Sequence, residues 1–381
     1  MPDAIEQLQP SDYDQLINHL DEAYGRDPAT SFRDRLPAIS TTPGEHDTHC
    51  RYVIRRDGRI AASVGVYSYD VHLAGEVLRM AGIGTVATSP MYRQQGLMSQ
   101  LMSHVADLLP QQGYDLAWLV GQRHRYRHFG WEVAGCEYHY ELTRKNVTPG
   151  LASHPPADIQ LQSLDSAGGL PAPLLVLRRT RRCRVERLTS PPVDRYRTLI
   201  AMDRNRQPVG YLLFSSDESA VVEVVGREPE TEYDMLRLAL EASGQDRINI
   251  RLPPFLSPVH HMLAQNVAYP ILRSSGNWRI YDWHKTVHAL LNVRHRMQPL
   301  MQGQVVIEVP EAARLRLTAD DTGARTERTD APADFTADPL TMTRLLFGHL
   351  PPMLTTALPP AARVLEAWCP LPIHMPHIER C

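Results

Sequence analysis

The sequence predicts a mixed α/β (α+β) fold of two or three units, and three observations carry that expectation. A strand-like run, Ile83 to Thr88, leads through a basic, glycine-bearing loop into a helix pattern. A strand–helix–strand order returns between Val209 and Ile250. Finally, 381 residues are too many for one ordinary core.

Element by element, Ser11 is a plausible N-cap for a helix with Tyr13, Leu16, Ile17 and Leu20 on one face. Tyr52 to Arg55, Asp57-Gly58, then Arg59 to Tyr67 reads as strand, turn and strand. Val71 to Met80 continues the sheet into the strand that ends at Thr88, closed by Ser89-Pro90. Leu97, Met98, Leu101, Met102, Val105, Leu108 and Leu109 repeat at helical spacing, and Gly113 closes that helix. Tyr114 to Val120 reads as a second buried strand. A Pro-, Ser- and Gly-bearing stretch from Thr148 to Pro173 reads as linker.

The next segment opens with Leu174 to Arg187, which holds six arginines. A solvated helix face explains them more readily than a nucleic-acid patch, given the acidic balance elsewhere. Strands are expected at Val209 to Phe214, Ala220 to Val225 and Ile248 to Ile250, with a helix at Tyr233 to Leu240. From about Trp278 a last unit follows. It has helices at Thr286 to Val293 and Pro339 to Phe347, and strands at Val305 to Val309, Arg314 to Leu317 and Arg325 to Thr329. The proline-laden tail, Pro370 to Cys381, is excluded from regular helix and reads as an extended arm that could reach another domain.

Hydrophobic residues at 43% and charged residues at 22% describe a globular chain, and a net charge of −3 gives no general attraction to nucleic acid or anionic membrane. No apolar stretch has the length of a bilayer span, and Met1 to Glu6 lacks the basic and apolar runs of a signal peptide, so a cytoplasmic location is the default. Five cysteines without C-x-x-C spacing suggest free thiols, not a disulfide framework or a zinc site.

The loop Met91 to Met98 carries the chemistry. A strand turning into a helix leaves backbone N–H groups pointing out of the helix start, and the positive end of the helix dipole adds to them, which suits a pyrophosphate. Gly96 allows close backbone approach, and Arg93 supplies a charged fork.

Arg93-Gln94-Gln95-Gly96 matches the R/Q-x-x-G core of the acyl-CoA signature of GNAT acetyltransferases. Arg125-Tyr126-Arg127-His128-Phe129-Gly130-Trp131 resembles a second segment of that superfamily, and both motifs in a chain of this length resemble the Eis-like (enhanced intracellular survival) acetyltransferases. Met98 stands where typical members carry Gly or Ala, and bulky residues there suit the Eis-like branch. The resemblance implies two tandem GNAT-like units, the second degenerate and without an R-x-x-G loop, followed by a sterol-carrier-like α+β domain. The corresponding bounds are 1–148, 149–277 and 278–381.

It further implies acetyl-CoA as cosubstrate, a small-molecule or lysine amine as acceptor, and a homo-oligomer. The cofactor-binding set is Arg93, Gln94, Gln95, Gly96, Leu97 and Met98, with Gly121 and Gln122, and backbone N–H groups near Val86, Ala87 and Thr88 would hold the pantetheine arm and polarise the carbonyl. A lysine-like amine with pKa about 10.4 is almost wholly protonated at pH 7, a deficit of roughly 4–5 kcal/mol, so a base must take its proton.

By the same resemblance Tyr126 is the acid that protonates the leaving thiolate, and the terminal carboxylate of Cys381 is the base. The competing structural readings are a packed core tyrosine and a frayed chain end. His128 or His377 could serve as base instead, and Asp21, Glu22 and Glu379 could attract a cationic amine. The spaced pairs His124 with His128 and His374 with His377 could hold a metal, but lack an acidic or cysteine partner at ligand spacing. Two other functions fit the sequence: a non-catalytic protein binding CoA or a lipid-like ligand, and an acyltransferase using another acyl-CoA.

Overall fold

A computed structural model describes residues 3–25, 31–32, 51–147, 158–164, 169–187, 196–215 and 217–377, so Glu379, Cys381 and the expected boundary at 148 lie outside the described residues. It is mixed α/β as expected, with three sheets among the described residues.

The chain begins with Ile5–Gln7 (β1) and the helix Tyr13–Ala23 (α1). Tyr13, Leu16, Ile17 and Leu20 are buried as the spacing predicts, but the N-cap is Asp12, because Ser11 falls inside a one-turn 3-10 helix, Pro10–Asp12. Arg51–Arg56 (β2) and Arg59–Leu73 (β3) form a hairpin across Asp57 and Gly58, both at positive φ, as a two-residue turn requires. β3 then folds back at Ala74 and Gly75 into Glu76–Thr88 (β4).

Leu97–Gln111 (α2) follows and buries Leu97, Leu101, Met102, Val105 and Leu109 against Val64, Val66, Ala81, Ile83 and Ala117 of the sheet. Leu116–Leu119 (β5) pairs parallel to β4, and the turn Arg123–Tyr126 (α3) precedes Glu132–Ala134 (β6).

The sheets do not follow the boundaries expected at 148 and 277. Glu137–Thr143 (β7) already belongs to the second sheet, which continues with Ile159–Ser163 (β8), Thr198–Asp203 (β10), Pro208–Phe214 (β11), Ala220–Gly226 (β12), Arg247–Leu252 (β13) and Ile271–Arg273 (β14). Gly276–Ile280 (β15) returns to the first sheet and lies antiparallel between β5 and β6. Periodicity marks a strand but not the sheet it joins, and here pairing partners lie about 150 residues apart in sequence.

The arginine-rich segment also departs from expectation. Helix covers only Ala172–Arg179 (α4), whereas Cys183–Arg187 (β9) is a strand against the outer half of β3, with Val71 opposite Val185. Long arginine stems hide the period-two pattern, since they cover apolar surface while their heads reach water.

Among the described residues three helices pack on the second sheet: α4, whose Leu174 meets Ile200, Tyr211 and Leu213, together with Pro229–Ser243 (α5) and Pro258–Asn266 (α6). The last unit contains Trp283–Met297 (α7), then Gly303–Val309 (β16), Ala313–Asp320 (β17), Gly323–Arg328 (β18) and Phe335–Thr336 (β19) in one sheet. It closes with Pro339–Phe347 (α8) and Val364–Trp368 (α9). It covers the face of the first sheet opposite α2, burying Tyr69, Val71, Leu78, Met80, Leu116, Trp118 and Trp278.

The tail is an arm up to His377: Leu371, Ile373 and Met375 are buried, Leu371 N–H donates to Leu346 O (2.7 Å), and Cys136 N–H donates to Ile373 O (2.9 Å). Among the described residues no helix is long and apolar enough to cross a membrane.

Gly135 stands where the chain leaves the first sheet. Its φ is +73°, and a Cβ there would lie 2.0 Å from Ser275 Oγ and 2.7 Å from Trp278 Nε1. Replacement Gly135→Ala should therefore cost about 2–4 kcal/mol, read as a lower denaturation midpoint at unchanged m-value.

Candidate active site

The site is organised by the end of β4. Its parallel pairing with β5 runs only from Met80–Leu116 to Ile83–Leu119, after which β5 stops and β4 continues to Thr88. Opposite, the β3 register shifts between Ser63 and Gly65, and Thr85 takes a positive φ of 47°. β4 therefore runs on past the end of β5 and leaves a gap in strand pairing beside Gly84 to Thr88. Val86, Ala87 and Thr88 thus lie on the unpaired side of β4, and Tyr24 Oη donates to Val86 O (3.2 Å).

The loop after β4 leads into α2. Gly96 is its N-cap at φ +78°, with no side-chain cap, so the first N–H groups of Leu97 and Met98 face out of the helix start. A Cβ on Gly96 would meet nothing within 4 Å, so its backbone angle, not crowding, favours glycine there.

Arg93, Gln94, Gln95 and Gly96 are exposed, Leu97 is buried as an anchor, and Met98 is half-buried against the α2 core. Arg93 Nη2 donates to Ala23 O (2.8 Å), tying the loop to the end of α1, and Gln95 Oε1 accepts from Arg56 Nη1 (2.7 Å). The two side chains brace the loop.

Past β5, Gly121 and Gln122 are exposed and Tyr126 is buried. The phenol ring lies so close that a Cβ on Gly121 would sit 2.2 Å from Tyr126 Cε2. Burial raises the Tyr126 pKa above the usual phenol value, against a smaller lowering by Arg125, so the group keeps its proton at neutral pH. Asn277 of β15, itself buried, donates from Nδ2 to Gly121 O (2.9 Å) and fixes the turn. No sequence motif singles out Asn277.

A second residue without a sequence signal is His19. Buried behind the bulge, it contacts Ser89 Oγ through Nδ1 (2.8 Å) and Ser63 Oγ through Nε2 (3.2 Å), and Ser63 Oγ donates to Thr85 O (3.3 Å). Burial lowers its pKa to about 4, so it is neutral at pH 7 and its role is bracing. Buried Arg51 supports the same bulge by donating to Thr85 Oγ1 (3.2 Å).

The other candidates are dispersed. His124 and His128 are exposed; His374 Nδ1 is 2.8 Å from Cys136 O, and His377 packs edge-on to Tyr196. Asp21 accepts from Phe32 N–H (2.6 Å) and Ser31 Oγ (3.1 Å), and Glu22 is exposed. Among the described residues no group of three or more His, Cys, Asp or Glu is placed to hold a metal ion.

Residues 4–134 match the family profile described as acetyltransferase (GNAT) domain, a stretch that runs from just before β1 to the end of β6. The chain thus carries a transferase domain at its N-terminal end.

Three solved structures extend the likeness of fold to nearly the whole chain. A GCN5-related N-acetyltransferase from Kribbella flavida superposes with a TM-score of 0.69 at 17% identity, covering 96% of this chain and 95% of that one. Eis1 from Mycobacterium abscessus gives 0.68 at 17% identity with 96% of each chain covered. A probable N-acyltransferase from Enterococcus faecalis V583 gives 0.66 at 15% identity with 99% and 98% covered. No curated protein matches the chain in sequence.

The His19 shift sets a pH dependence. Between pH 6.5 and about 4 the unfolded chain binds a proton at this side chain that the folded chain refuses, so stability falls as pH drops through that window. His260, likewise lowered to about 4 by burial, contributes in the same direction. His19→Asn should flatten, without abolishing, the fall of Tm between pH 6.5 and 4 measured by calorimetry.

Proposed function

We propose that the protein is an acetyl-CoA-dependent N-acetyltransferase of the Eis-like type, passing the acetyl group directly to a primary amine of a small molecule or lysine. The observation that carries this is the gap in pairing between β4 and β5 followed by the uncapped start of α2, with the buried Tyr126 phenol against Gly121 just past β5. The pyrophosphate lies on the α2 N-terminus, where N–H groups and helix dipole favour negative charge. The pantetheine arm enters the gap along Val86 to Thr88, and unpaired β4 amides polarise the thioester carbonyl.

The amine nitrogen attacks that carbonyl and the C–S bond breaks. Tyr126 gives its proton to the departing thiolate. The Cys381 carboxylate takes the proton the amine sheds and, if enclosed by the site, becomes a stronger base than in water. The second sheet repeats the strand–helix–strand order but opens α5 with Glu230, an acidic residue that repels phosphate, which supports a degenerate GNAT-like unit. The four-stranded sheet with its helices is the sterol-carrier-like unit of this reading, and a homo-oligomer is its expected assembly.

Release of CoA thiol on incubation with acetyl-CoA and a panel of polyamines, aminoglycosides and lysine peptides tests the activity; no turnover on any amine, with no CoA uptake by calorimetry, would overturn it. Tyr126→Phe should lower kcat by about 10²-fold or more at unchanged CoA affinity, and unchanged kcat would remove Tyr126 from the mechanism. A short C-terminal extension, which moves the carboxylate away, should abolish turnover. A fully active extended enzyme would exclude Cys381 as base.

A further inference from the structure

Away from the α2 loop, a cavity of about 370 Å³ opens where β9, β12, the β13–α6 connection, the end of α7 and the tail meet. That volume falls within the range of small-molecule sites, about 300–1,000 Å³. Val185, Val224, Leu252, Phe255, Leu256 and Met297 give it apolar walls. Ala74, at the β3–β4 turn, marks one side; Glu76 to Ile83 of β4 separate this turn from the acetyl-transfer opening, roughly 25 Å of strand.

Five arginines also line it: Arg178, Arg181, Arg182, Arg184 and Arg296. Its two carboxylates are already engaged, Glu223 with Arg178 (3.3 Å) and Glu232 with Arg181. Arg184 pairs with Glu186 (2.8 Å). Arg182 and Arg296 are left without a carboxylate among the described residues, and Arg296 donates instead to the neutral Ala74 O.

His260 adds no charge. Its Nδ1 accepts from Ser257 N–H (3.2 Å), its Nε2–H donates to Pro253 O (2.9 Å), and burial lowers its pKa to about 4. Arg182 and Arg296 also line a second hollow of about 510 Å³ that shares Ala74, where Glu76 and His72 take part. An apolar chamber thus adjoins a mouth holding two uncompensated guanidinium groups.

We propose that this cavity is a second binding site, for an amphipathic carboxylate. The hydrocarbon part lies against Val224, Leu252, Phe255 and Leu256, and the anionic head meets Arg182 and Arg296, whose planar forks match a carboxylate's two oxygens. The site is independent of acetyl transfer.

Isothermal titration calorimetry on the full-length protein tests it with decanoate, decylamine and decanol. Decanoate should bind in the micromolar range, and the amine and alcohol at least tenfold more weakly. Arg182→Ala, on an exposed side chain, should weaken decanoate tenfold or more. Leu256→Trp, which fills the chamber from a partly exposed position, should weaken it similarly. Saturation with CoA should leave decanoate affinity unchanged. Absence of decanoate binding, equal affinity for decylamine, unaltered affinity in both variants, or competition by CoA would each overturn the proposal.

Discussion

The backbone pairing of β15 between β5 and β6 is the constraint on which the rest of the structure depends. It supplies the hydrogen bonds that β5 lacks on the side away from β4, and it brings Asn277 to Gly121 O and Trp278 into the core. Gly276 sits at φ +145°, where a Cβ would lie 2.2 Å from Trp118 Nε1. The indole in turn donates to Ser275 O (3.0 Å). Close backbone approach, a cross-strand tryptophan pair (Trp118 opposite Trp278) and the turn that carries Tyr126 are therefore parts of one arrangement.

That arrangement explains how a deformable strand end can be held still. A bulge and a gap at the end of β4 leave backbone groups without strand partners, which costs stability unless something else braces the region. Arg51, His19, Ser63 and Ser89 supply bracing from α1 and the β2–β3 side, and Asn277 from the β15 side. The gap beside the end of β4 is thus framed by fixed side chains on two sides.

Local features of the fold were legible in the sequence. The α2 stripe, the Asp57-Gly58 turn and the helix at Pro339–Phe347 each follow from spacing or from φ preferences that neighbouring residues determine. What escaped was set by partners far along the chain. Asn277 matters only because a turn 156 residues earlier folds beside it, and His19 only because Ser63 and Ser89 converge on it. The strand at Cys183–Arg187 was hidden by its charge: alternation of apolar and polar residues fails as a signal when arginine stems do the work of apolar side chains.

The late origin of β15 has a consequence for synthesis. The stretch that matches the acetyltransferase domain ends at residue 134, yet its sheet is closed by residues 276–280. While the chain is being made, the edge of β5 lacks its partner for more than a hundred further residues, and bare edges recruit other strands. Most of the intervening sequence belongs to the second sheet. An isolated N-terminal fragment would lack a structural rib, so assembly of the catalytic framework is an event of the whole polypeptide.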